Sequence, residues 1–268
     1  MEVTTAGEGR PRWAEIAYEA MAPVYDSFTY ENDYEIWFGL LLPALEKHGL
    51  SRGKLLDVGC GSGKAFTPML RRGWEVQGCD VSPAMLEQAQ ERAEGKVRLE
   101  VADMRALPVF GEFDLVWALN DPVNYLLDED ELEQALVGMR RNLGPGGLLM
   151  FDANTVKAYH GFFTEDVSFE RDGWRLTWRG LSSSDDPPGT IREASFEAEP
   201  LSGTEGAAIA PVLHRERHFS EAEILAGLER AGLECLDVSG YDDGAALAQP
   251  LDEDVHYKAI YIARAAGR

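Results

Sequence analysis

The chain has 268 residues, 45% of them hydrophobic, which is enough apolar material for one large domain with an elaboration or for two modest ones. Its 47 acidic and 25 basic side chains leave a formal net charge of -22, a field that repels a nucleic acid backbone unless a local basic patch overrides it. The longest basic runs are the pairs Arg71-Arg72 and Arg140-Arg141 near the ends of expected helices, where cations suit the helix dipole, so nucleic acid is not an expected partner. Cys60, Cys79 and Cys235 are odd in number and widely spaced, which argues against a disulfide framework or a zinc cluster and fits a reducing cytoplasm. No window has the apolar length needed to span a bilayer, and a soluble, unprocessed protein is expected, with no membrane partner.

Residues 1–11 are polar and Gly-rich and are expected to be mobile. Trp13, Ile16, Ala17, Ala20 and Met21 then recur at helical steps, and Ile36, Leu40 and Leu41, with Leu45 beyond Pro43, predict a second and a third helical piece. The stretch between them, AYEAMAPVYDSFTYENDYEIW, sets tyrosines among acids. From Lys54 apolar runs alternate with helical ones: LLDV, AFTPMLRRG, EVQGCD, SPAMLEQAQERA, VRLEVADM, FDLVWAL, DEDELEQALVGMRRNL and GGLLMFDANT. That rhythm predicts a doubly wound α/β fold, a parallel sheet covered by helices on both faces. Ser82 before Pro83 marks a helix start, and Gly144-Pro145-Gly146-Gly147 a helix stop.

After Asn154 the rhythm breaks. SFERDGWRLTWRGLSSS, TIREASFEAEP and APVLHRERHF, separated by DDPPG and SGTEG, read as antiparallel strands joined by Gly/Pro turns. Ser220 with Glu223 forms a capping box before a helix, and LECLDVSGY and HYKAIYIARA are two closing strands. The expected organisation is a helical cap over residues 1–50, a cofactor-binding core over 51–155, an antiparallel lid inserted at 156–219, and the end of the core sheet at 220–268.

The stretch LLDVGCGSGKAF, Leu55 to Phe66, poses the question of ligand. A phosphate loop of ATPases needs a glycine five residues before the Gly-Lys pair and a Ser or Thr after it, but Val58 and Ala65 stand there. A G-x-G-x-x-G dinucleotide turn would need its third glycine where Lys64 is. What remains is D-x-G-x-G-x-G: Asp57 in a strand, then Gly59, Gly61 and Gly63.

This arrangement resembles motif I of the class I S-adenosylmethionine-dependent methyltransferases, and VADM, FDLVWALNDPVNYL and NLGPGGLLMFDANT follow in the family's order over roughly residues 50 to 155. The resemblance implies a Rossmann-like, mostly parallel seven-stranded sheet and S-adenosyl-L-methionine as cofactor. It implies that the turn, Cys60 included, lies against the methionine part, and that Asp80 binds both ribose hydroxyls, with Val81 and Met85 following it. It further implies that Asp103 meets the adenine amino group, that Met104 lies along the ring, and that Leu119 and Asn120 close the fourth strand. Tyr25-Asp26 resembles a Tyr-Asp pair found ahead of motif I in many small-molecule methyltransferases, where the tyrosine closes over the cofactor. An acidic, glycine-lined crevice suits a sulfonium cation without phosphate, and a helix N-terminus suits its carboxylate. Lys64 is read as a surface residue.

Methyl transfer mainly requires that an acceptor atom be held near the methyl carbon and that water be excluded. Asn120, Asn124, Tyr125, His214 and His218 are the expected catalytic group, with Asp121, Tyr18, Tyr30, Tyr34, Trp37 and Arg217 as further neighbours and His160 able to reach the same crevice. His48 and His256 read as structural. His214 and His218 are four apart, but no third ligand is evident, so no metal is expected. With no committed base visible, nitrogen is weakly favoured over oxygen as the attacking atom. A roofed crevice favours a small-molecule acceptor, the layout resembles bacterial amino-sugar and glycine-type N-methyltransferases, and the lid strands are suited to pairing across a two-fold axis in a homodimer. The alternative is a cofactor-binding sensor or interaction protein without methyl transfer.

Overall fold

The computed structural model describes residues 12–242 and 246–267, so the polar tail at 1–11 lies outside it. Three helices come first: α1 (Trp13–Met21), α2 (Tyr25–Phe28) and α3 (Tyr34–Lys47). The break expected at Pro43 does not occur, and α3 is one helix. Proline in a helix strands the carbonyl four residues earlier, and here that residue, Gly39, is exposed and lacks a side chain to crowd the ring.

The alternating section folds as β1 (Lys54–Val58), α4 (Phe66–Arg71), β2 (Glu75–Asp80), α5 (Pro83–Arg92), β3 (Arg98–Val101), β4 (Phe113–Ala118), α6 (Glu129–Arg140) and β5 (Leu143–Asn154). The Gly-Pro-Gly-Gly segment expected as a stop is the opening of β5, with a register shift where it passes β4. After α7 (Val156–Phe162) come β6 (Asp166–Arg171), β7 (Trp174–Gly180), β8 (Ile191–Pro200) and β9 (Ile209–Arg217), and the chain returns through α8 (Glu221–Arg230), β10 (Leu233–Tyr241) and β11 (Lys258–Ala265).

Among the described residues seven strands form one sheet in the order β10-β11-β5-β4-β1-β2-β3, parallel except for β11, which runs against both neighbours. Order reverses between β1 and β4, the crevice where open α/β sheets bind ligands. Leu55 and Leu56 on β1 are both fully buried, as a strand covered on both faces requires. Phe38, Met69 and Ala89 from α3, α4 and α5 pack on one face; Leu132, Leu136, Ile224 and Leu228 from α6 and α8 pack on the other.

The four strands β6 to β9 form a separate antiparallel meander. Its inner residues Leu176, Trp178, Ala194 and Phe196 share a core with Met21 and Val24 from the N-terminal helices. Phe28 stacks between them, 5.8 Å from Trp178 and 5.1 Å from Phe196 by ring centroid. Cap and meander therefore pack as one roof over the crevice.

The box expected at Ser220 is present, with the Ser220 hydroxyl accepting from the Glu223 N–H and the Glu223 carboxylate accepting from the Ser220 N–H. Ser220→Ala should lower stability by about 1 kcal/mol, read as a lower urea midpoint at unchanged slope.

Candidate functional site

The crevice is built by strand ends. After β1, Gly59, Gly61 and Gly63 take positive φ of 73°, 52° and 81°, so the chain turns tightly under the start of α4. A Cβ on Gly59 would lie 3.0 Å from the Pro122 ring, and one on Gly63 2.5 Å from the Phe66 ring. The turn is tied to β2 from both sides: Gly59 and Cys60 donate to the Cys79 carbonyl at 2.8 and 3.0 Å, and Gly61 donates to the Asp80 carboxylate at 2.8 Å. The other oxygen of Asp80 accepts from the Ser82 N–H at 2.9 Å. Burial raises the Asp80 carboxyl, and the N–H groups of Ser82, Gly61 and Val81 pull it back.

The N-terminal helices are pinned over this turn. Tyr25 covers Gly61, its ring 3.8 Å from where a Cβ would stand. Ser62 donates to Asp26 at 2.6 Å, and Arg92 pairs with Asp26 while donating to the Ser62 carbonyl at 2.9 Å. Glu19 on α1 accepts from the Ser82 hydroxyl at 2.7 Å and the Ala84 N–H at 3.1 Å. Lys64 is half-buried and not a surface residue, because its ammonium donates to the Thr29 carbonyl at the end of α2.

A cavity of about 210 Å³ opens between turn and roof. Of the expected cofactor residues, Tyr25, Gly59, Cys60, Gly61, Asp80, Val81, Asp103, Met104, Leu119 and Asn120 line it. Three others do not. Met85 is fully buried on the inner face of α5, Gly63 serves the turn from outside the wall, and Asp57 lies one layer down, 1% exposed, with one carboxylate oxygen unpartnered. Burial raises Asp57 to about 8; the Trp117 indole nearby opposes this without reaching hydrogen-bond geometry, and Asp80 adds to it. Asp103 caps the turn after β3 and holds the Arg105 guanidinium in a fork at 2.6 and 3.0 Å, while Arg105 reaches Glu131 on α6 at 2.9 Å.

The expected acceptor-side residues divide. Tyr18 donates to Tyr125 at 3.1 Å, and Tyr125 lies 2.8 Å from His214 Nδ1, a chain linking α1, the loop after β4, and β9. Tyr18, Tyr34 and Tyr125 line the cavity; His214, 1% exposed, backs it, and burial lowers its imidazole to about 4. Asn124 is not on the wall. It is fully buried, donating to the Arg217 carbonyl at 2.9 Å and accepting from the Asn154 N–H at 2.8 Å, a brace between the two sheets. His218 follows β9 and turns away from His214 to pair with Glu253, so the two histidines do not converge. Among the described residues no group of three His, Cys, Asp or Glu side chains is placed to hold a metal ion.

Tyr30 lies under Arg171, Trp37 packs on Tyr241, Arg217 pairs with Glu223, and His160 is exposed on α7; none of the four lines the cavity. Sequence reasoning missed Trp13, Glu15, Pro122, Glu131 and Arg215 on the wall. The guanidinium of Arg215 sits 5.0 Å from the Trp13 ring centroid, a contact across about two hundred residues that no local pattern announces.

Residues 55–147 match the model of a methyltransferase domain. A Geobacillus sp. (strain WCH70) protein named as a methyltransferase is 33% identical over 161 residues, which are 59% of this chain and 65% of that one. The matched segment marks residues 55–147 as a methyltransferase domain. Along more of its length the chain is similar to the dTDP-3-amino-3,4,6-trideoxy-alpha-D-glucopyranose N,N-dimethyltransferase of Streptomyces venezuelae, 27% identical over 84% of this chain and 95% of that one. The structure of an S-adenosylmethionine-dependent methyltransferase from Clostridium acetobutylicum superposes with a TM-score of 0.76 at 23% identity, covering 93% of this chain and 99% of the other. The chain thus spans just under two thirds of the length of the Geobacillus relative and nearly all of the other two.

The site fits an S-adenosylmethionine cofactor. The glycine turn leaves no Cβ at Gly59 and Gly61, and carboxylates and tyrosine rings face a cavity suited to a sulfonium cation. Lys64, Arg105 and Arg215 on the wall already hold Thr29, Asp103 and Glu193, and Arg12 pairs with Glu15, so none of these cations is set for a pyrophosphate.

The raised Asp57 carboxyl has a consequence for stability. The folded protein keeps a proton that the unfolded chain releases near pH 3.9, so this residue's contribution falls as pH rises from there to about 8. Asp57→Asn removes that loss. The melting temperature of the variant minus that of the parent should climb by about 5 °C between pH 5 and pH 8; a flat difference would contradict the assignment.

Proposed function

We propose that the protein transfers a methyl group to a small-molecule amine. When bound, S-adenosylmethionine supplies an electrophilic methyl carbon on a positively charged sulfur. Asp80 and the backbone of the glycine turn are the groups that would hold its ribose and methionine parts, Asp103 and Met104 its adenine, with Tyr25 excluding water above Gly61. Beyond Tyr25 the cavity reaches Tyr18 and Tyr125, the place left for an acceptor.

The observation that carries the reading is the state of the Tyr18–Tyr125–His214 chain. A hydroxyl acceptor needs a strong base to remove its proton, whereas an amine needs only to arrive unprotonated. His214, lowered to about 4 by burial, is too weak a base for a hydroxyl, and burial also holds the Tyr18 and Tyr125 phenols well above their ordinary range. At neutral pH all three are uncharged. In the tautomer that leaves His214 Nδ1 without a proton, Tyr125 donates to it and accepts from Tyr18, and the phenol oxygens then serve as orienting groups for a neutral amine. The similarity to an amino-sugar N,N-dimethyltransferase supports the same choice of nitrogen. Glu15, three residues before Tyr18 on α1 and with a buried carboxylate oxygen lacking a partner, also lines the cavity.

Calorimetry should show binding of S-adenosylhomocysteine by the parent protein, weakened about 10- to 100-fold in Asp80→Ala through loss of one or two charged hydrogen bonds. In a panel of amino sugars and their hydroxyl counterparts, turnover should appear with amines alone. Tyr125→Phe should lower kcat at least about 10-fold with little change in cofactor affinity. Turnover of the hydroxyl compounds would reverse the choice of atom.

A further inference from the structure

The loop that follows β4 begins with two successive left-handed residues, neither of them glycine: Asn120 at φ 71° and Asp121 at φ 61°. Such a pair persists only when the surroundings over-determine it. Here one side chain does so. The carboxylate of Asp152 on β5, fully buried, accepts the Asn120 N–H at 2.6 Å on one oxygen and the Asp121 N–H at 2.9 Å on the other. Those two N–H groups point the same way because both residues are left-handed, and a single carboxylate spans them.

A nearby cation offsets part of the cost of burying a carboxylate. Lys258 at the start of β11 supplies it, with its ammonium 3.1 Å from Asp152 and paired also with the Asp121 side chain. Among the described residues of the seven-stranded sheet β11 is the one strand that runs against its neighbours, and its register sets Lys258 opposite Asn154, two residues beyond Asp152. The corner therefore ties β4, β5 and β11 together at the sheet edge where the cavity opens. It delivers two groups to the cavity wall: Asn120, beside the Tyr25 hydroxyl, and Pro122, whose ring lies where any side chain on Gly59 would go.

We propose that Asp152 and Lys258 are positioning residues for the cofactor cavity, holding the Asn120–Asp121 corner in its left-handed form so that Asn120 and Pro122 close the wall beside the glycine turn. The proposal rests on the methyltransferase reading for its ligand, while the clamp itself is a property of the unliganded chain. A residue that only filled the core would destabilise the protein when changed, and a glycine in the corner would not relieve the damage. A clamp that offsets left-handed strain behaves differently, because glycine adopts positive φ without that cost.

The test is a double-mutant cycle of Asp152→Asn and Asp121→Gly with two measurements: hydrogen exchange over residues 117–126 without ligand, and calorimetry with S-adenosylhomocysteine. Asp152→Asn alone should speed exchange in that segment and weaken S-adenosylhomocysteine binding, each at least fivefold. In the Asp121→Gly background the same change should cost at least threefold less on both measurements. Smaller effects, or equal losses in the two backgrounds, overturn the clamp. Should Asp152→Asn not fold, Lys258→Met takes its place in the cycle and is read by the same limits. If the parent protein shows no affinity for S-adenosylhomocysteine while exchange follows the expected pattern, the methyltransferase reading falls and the clamp stands.

Discussion

The Asp80 carboxylate holds the site together. It sits at the end of β2, nearly out of water, and takes N–H groups from two directions: Gly61 in the turn after β1 and Ser82 at the start of α5. Those bonds fix the separation of two neighbouring strand ends and keep the glycine turn open with its backbone toward the cavity. A buried carboxylate is tolerated only when hydrogen-bonded, so the same contacts keep the acid usable where a ligand would meet it. Everything above the turn is referenced to this frame, because Ser82 also donates to Glu19 and the turn's Ser62 donates to Asp26.

The roof is one unit made from two distant stretches of chain. The N-terminal helices and the antiparallel meander share Trp178, Phe196, Phe28 and Met21 as a third core, distinct from the two that cover the large sheet. That shared core carries Tyr18 from α1 to within hydrogen-bond reach of Tyr125, and β9 carries His214 behind it. Burial then keeps the histidine and both phenols neutral. The site thereby presents uncharged phenols to the cavity, backed by an uncharged imidazole.

Much of the core was legible because its signals are local. The D-x-G-x-G-x-G turn, the acid ending the next strand, and the strand and helix alternation each depend on residues within a few positions of one another, and the sheet that results is the expected one. What sequence could not show depends on long-range packing. Asn124 and Tyr125 are adjacent and equally plausible as site residues, yet one faces the cavity and the other braces two sheets, a choice made by contacts to Arg217 and His214 about ninety residues away. His214 and His218 share a spacing, but the strand ends between them and they part. Lys64 reads as solvated until the end of α2 arrives above it. Met85 follows a helix cap whose geometry turns it into the core. Pro43 reads as a break because the pattern does not reveal that Gly39 is exposed.

The most direct test of the account is a crystal structure of the protein grown with S-adenosylhomocysteine. Density should run along Gly59 to Gly61 beneath Tyr25, with both ribose hydroxyls on the Asp80 carboxylate and the open sulfur side facing Tyr18 and Tyr125. A ligand lying elsewhere, or one in the cavity that leaves Asp80 bonded only to Gly61 and Ser82, would contradict it.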